Sequence, residues 1–129
     1  MNELTNTATS VGTYDGLSTE MTSEAVVVLM LDDLTITKSA DRQVWVTGNL
    51  TYTITITNDT ENDYVTPVVT DTIDPTLATL VPDSVTINGV PATSPTDYTF
   101  DDVTGLLTVN LPDIVAESNA VIVFEVSRV

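Results

Sequence analysis

An all-β sandwich is expected of this chain on three grounds. Threonine and valine are abundant, 42% of the residues are hydrophobic, and β-branched side chains suit a pleated, half-buried surface. Short alternations of apolar and polar residues recur from end to end, and no stretch of helical period competes with them. Between them lie "TYDG", "NDTEND", "NG" and "DDVTG", whose Asn, Asp and Gly residues tolerate turn dihedrals and satisfy local backbone groups. A length of 129 residues suits one core of this kind.

Taken in order, strands are expected over residues 3–11, 22–30, 34–38, 48–58, 64–73, 84–88, 97–100, 106–111 and 120–129. The first carries Leu4, Asn6 and Ala8 on one parity. The second runs through "AVVVLML", apolar throughout but too short to span a bilayer. Residues 12–22 read as a linker between the two. In the third, Leu34, Ile36 and Lys38 share a parity. In the fourth, Leu50, Tyr52, Ile54 and Ile56 alternate with threonines, which places one face on a core and one in water. The fifth sets Val69, Asp71 and Ile73 inward. The sixth ends at Asn88-Gly89, and the seventh and eighth flank "DDVTG". In the last strand the row of Ile122, Phe124 and Val126 is read as the inner one. Strands at this spacing give an Ig-like Greek-key β-sandwich over residues 32–129, preceded by an extension over residues 1–31.

Charge narrows the function. Nineteen acidic against three basic residues leave a formal charge of −16, so the clustered cations needed to displace counterions from a nucleic acid are missing. High net charge also suppresses indiscriminate association, and self-assembly then requires a specific, directional contact. With no cysteine and no histidine, disulfides, thiolate or imidazole metal sites and the usual catalytic triads are excluded. No cofactor is expected, and a turnover enzyme has no supporting residue set. The start "MNELTNTATS" has neither the basic region nor the apolar run of a secretory signal.

Four blocks carry a family resemblance: "LTITKSAD", "GNLTYTITITN", "PVVTDTIDPTL" and "LPDIVAESNAVIVFEV". In this order they resemble the DUF11 repeat domain, a β-sandwich module of bacterial and archaeal surface proteins usually found in tandem. In that family a repeat continues into a closing strand similar to "TNTATV". Here the matching text, "LTNTATSVG", stands at the beginning. The chain is thus expected to be a repeat in shifted register, with the end of one repeat before the body of the next. Either the N-terminal segment folds back into its own sandwich, or it fills the open edge of a neighbouring copy. The second preserves the geometry of a tandem array and propagates head-to-tail, as in donor-strand complementation.

Within these blocks three polar residues fall on core-facing parity: Lys38, Asp71 and Asn6. An unpaired charge in an apolar site costs several kcal/mol and is pushed toward its neutral form. The set resembles that of isopeptide-forming pilin and adhesin sandwiches of Gram-positive surfaces. The resemblance implies Lys38 as the attacking amine, Asn6 as the acceptor from a neighbouring subunit, and Asp71 as the proton shuttle. Leu4, Asn6 and Ala8 would be the inward residues of the donor strand. A structural alternative stands beside it: Lys38 lays its stem over the core and pairs with Asp71, or Asp71 caps the turn at "DTIDP", and Asn6 bonds an edge backbone.

The expectation is an extracellular fibre subunit, a pilus or a cell- or spore-surface appendage whose partners are copies of itself. The alternative is a monomeric stalk or adhesin module with an intramolecular terminal strand. Acidic groups at Asp32-Asp33, residues 58–63 and Asp101-Asp102 lack the spacing of a calcium loop and read as solvated loops. Trp45 reads as a core or interface anchor, and Tyr52 as a core residue.

Overall fold

The computed structural model describes Asn2–Val129. The chain is all-β and divides into two compact units, Met1–Asp32 and Asp33–Val129.

The first unit is one long hairpin in two ribbons. β1 (Asn2–Asn6) pairs antiparallel with β4 (Val26–Met30), and β2 (Thr9–Tyr14) with β3 (Leu17–Thr22). Its reversal is Asp15-Gly16, with φ of 49° and 77°, the left-handed pair that a two-residue hairpin turn requires. Two residues separate β1 from β2, whereas three separate β3 from β4, so the return strand carries a bulge. The amides of Ala8 and Ser23 are tied across it: Ser23 N–H donates to Ala8 O at 2.8 Å, and Ser23 Oγ accepts from Ala8 N–H at 3.0 Å. An odd insertion in one strand exchanges its faces. Its effect here is to bring Leu17 and Met21, which are odd-numbered, onto the face of the even-numbered Val26, Val28 and Met30, the face that Leu4 and Asn6 share across the ribbon. These differences correct the expectation of two unbroken strands and a linker at residues 12–22: the linker residues are the end of β2, the Asp15-Gly16 turn and the mostly polar β3, and the break between β3 and β4 falls inside the expected strand 22–30.

The second unit is a β-sandwich. β5 (Leu34–Ala40), β6 (Leu50–Asn58), β13 (Ser118–Arg128), β9 (Thr86–Ile87) and β10 (Val90–Pro91) form one sheet in the order β10-β9-β13-β6-β5, with β8 (Ala78–Leu80) also on β13. β7 (Val68–Thr72), β12 (Leu106–Asn110) and β11 (Tyr98–Asp101) form the other, in the order β11-β12-β7. The core lies between them, with Ile54, Ile122, Phe124 and Val126 from one sheet and Val69, Leu107, Val109 and Tyr98 from the other. The inner rows expected in β6, β7 and β13 are the buried ones. The expected strand at residues 64–73 is shorter. Thr66 takes a φ of 44°, its N–H donates to Asp113 Oδ1, and Tyr64 makes only an isolated bridge to Ile114. β8 and β10 are two or three residues long, too short for alternation to mark them.

Candidate functional site

The sandwich has two free edges that face one another. β5 ends one sheet and β7 ends the other, and among the described residues each pairs on one side alone. The β5–β6 register sets Ile36 opposite Ile56 and Lys38 opposite Ile54, so both share the face of a buried row. Yet Ile36 is 62% exposed, because no strand of the three-stranded sheet extends over it. Leu34, Ile36, Ile56 and Val69 line the resulting groove of about 390 Å³. A second groove, of about 250 Å³, is lined by Lys38, Trp45, Tyr52 and Ile73.

Lys38 and Asp71 meet across this seam. Their Nζ and Oδ2 lie 2.7 Å apart, with the lysine side chain 41% exposed and that of Asp71 13%. Oδ2 is buried and accepts no aligned hydrogen bond, so the contact is an ion pair in distance without hydrogen-bond direction. The ammonium also stands 4.4 Å from the centre of the Tyr52 ring, which packs in turn on Phe124 with 5.5 Å between ring centres. This aromatic floor holds the Nζ over apolar surface and aims it at the carboxylate. Tyr52 is therefore half-buried beneath the amine, at a position that its strand row indicated without revealing the contact.

Asn6 sits in the other unit, at the end of β1 opposite Val26. It is exposed, as are Leu4 and Ala8. β1–β4 has no core of its own: Leu4, Val26, Val28 and Met30 on one face and Val27 and Leu29 on the other are all exposed. A two-stranded ribbon in this condition is marginal by itself.

The remaining candidates have structural work. The cap of the "DTIDP" turn is Asp74, whose Oδ1 accepts from Thr76 N–H and Thr76 Oγ, which leaves Asp71 free of that role. Asp101 and Asp63 likewise accept backbone amides of their own or facing loops, and no group of three acidic side chains is arranged for a metal among the described residues. Trp45 is half-buried against the core, with its Nε1 donating to Gly48 O at 2.8 Å. Sequence reasoning passed over Asn58, at 1% exposure the one polar residue among the buried side chains of the described residues. Its Nδ2 donates to Asn62 O and Ile114 O, and its Oδ1 accepts from Thr60 N–H and Thr60 Oγ. The signal was present, since Asn58 continues the even-numbered inward row of β6.

No family model matches the chain, and no curated protein or solved structure is significantly similar to it.

Proposed function

We propose that the protein is a structural subunit of a self-assembling extracellular fibre. Its N-terminal ribbon fills the seam of a neighbouring copy, and Lys38 of the receiver then joins Asn6 of the donor. The observation that carries this reading is the seam itself: an inward-parity isoleucine left exposed, and the chain's single lysine set at 2.7 Å from an aspartate beside it. The coreless ribbon supplies the complement, with the carboxamide of Asn6 on the same face as Leu4 and Val28. The likeness of its sequence blocks to DUF11 tandem repeats supports the same geometry.

Entry of apolar side chains into the seam removes water from the ion pair and favours transfer of the ammonium proton to Asp71. The neutral amine attacks Cγ of Asn6, the C–N bond to Nδ2 breaks, and Asp71 passes protons from Nζ to the departing nitrogen. One amide forms, one ammonia leaves, and no charge remains to be buried. The event is a single turnover, so the protein is not an enzyme in the ordinary sense.

Boiling in SDS tests it. Wild-type filaments should persist as a ladder, and Lys38→Ala or Asn6→Ala filaments should fall to monomers. Removal of residues 1–16 should abolish filaments altogether, and filaments that form without that segment would falsify strand donation.

A further inference from the structure

The seam and the ribbon fix each other's register, and the argument rests on the strand-donation reading above. For Asn6 to reach an amine that lies 2.7 Å from Asp71, its short side chain must lie beside Asp71 on the open edge of β7. Alternation then puts Leu4 and Ala8 inward with it, and Thr5 and Thr7 outward beside Thr70 and Thr72, which are exposed. Two directions satisfy this. The β11-β12-β7 sheet is antiparallel at both of its pairings, and wholly antiparallel sheets are preferred over mixed ones.

A single added strand would leave part of the opening bare. β1 against β7 lengthens the small sheet by one strand, whereas the exposed Ile36 belongs to the facing sheet, on β5. The second strand of the ribbon stands about 4.8 Å further out. Its residues on Asn6's face, Val26 and Val28, are placed by the β1–β4 register opposite Asn6 and Leu4, which is the row needed to roof Leu34 and Ile36.

We propose that the occupant of the seam is the β1–β4 ribbon of a second copy, with β1 antiparallel to β7, Asn6 opposite Asp71, Leu4 opposite Ile73, and β4 lying over β5. The ribbon is thus a two-stranded plug.

The chain has no cysteine, so introduced pairs report this register directly. In a Lys38→Ala background, the pairs Thr5→Cys with Thr72→Cys and Thr7→Cys with Thr70→Cys match the antiparallel register. Thr5→Cys with Thr70→Cys and Thr7→Cys with Thr72→Cys match a parallel one. After oxidation of filaments and non-reducing electrophoresis, the first two variants should give ladders, collapsed by reductant, at least tenfold stronger than the second two. Stronger ladders from the second set overturn the direction. Sedimenting filaments with no ladder from any pair overturn the register, and a fast-migrating monomer shows the ribbon in its own seam. If the Lys38→Ala parent and every pair fail to sediment while the wild type does, assembly needs the bond and the plug is not sufficient for docking. If the wild type also fails, strand donation itself falls.

Discussion

At the scale of single residues, polar side chains do three different jobs. Asn58 is buried with hydrogen bonds at both the nitrogen and the oxygen of its amide, so Asn58→Ala should leave the Thr60 N–H without its acceptor, take one donor from the Ile114 carbonyl, and cost about 1–3 kcal/mol, read as a lower urea midpoint. Lys38 and Asp71 are half-exposed and nearly buried respectively, an ion pair at the mouth of the seam. Outside the core, carboxylates hold turns. Asp41 is kept below the ordinary 3.8 by the Arg42 side chain and the Thr51 amide. The Thr76 hydroxyl and amide do the same for Asp74, and the Val103 and Thr104 amides for Asp101. A folded-state pKa that is depressed means that the unfolded chain binds protons first on acidification. The stabilisation is complete above 3.8 and is lost as pH falls through the lowered value. Asp101→Ala should therefore lower the urea midpoint at neutral pH and flatten its decline as the pH falls below 3.8. An unchanged acid slope would remove Asp101 from this role. The sequence made the parity of Lys38 and Asp71 readable. It did not reveal which of them are covered, because coverage depends on the neighbour on the other sheet.

At the scale of elements, legibility followed length. β6 and β13 are nine and eleven residues long, long enough for period-two patterning to give both their existence and their inner face. β8 and β10 were invisible for lack of repeats, and the mostly polar text of β3, "LSTEMT", disguised a continuous hairpin as two strands and a linker. The turn at Gly105 shows another limit. Gly105 has a φ of +76°, and a Cβ there would stand 1.7 Å from Ile73 O. Its own carbonyl accepts from Ile73 N–H at 2.8 Å, so the β11–β12 turn is wedged against the end of β7. The left-handed conformation alone costs an alanine about 1–2 kcal/mol. With the backbone clash added, Gly105→Ala should lower stability by more than that in chemical denaturation. A loss below about 1 kcal/mol would mean that the turn can move away. "DDVTG" indicated a turn, but nothing in the sequence told how closely it approaches β7.

At the scale of the whole molecule, the balance of forces explains why a covalent lock would be useful. Fully burying Leu4, Val26, Val28 and Met30 is worth on the order of 6–12 kcal/mol at about 1.5–3 each. Association costs about 4–15 kcal/mol in lost freedom and ordering. The two nearly cancel, and each subunit also carries a formal charge of −16. Filaments of Lys38→Ala should accordingly dissolve on dilution, while wild-type filaments stay intact. Salt should speed assembly of both by screening subunit repulsion, and light scattering at two ionic strengths checks the sign. Peptide mass spectrometry of a boiled wild-type dimer reads the proposed bond most directly. A branched peptide joining Lys38 of one copy to Asn6 of the other, lighter by one ammonia than its two components, is the predicted product. Recovery of an unmodified Lys38 peptide in full yield from filaments that resist SDS would contradict it.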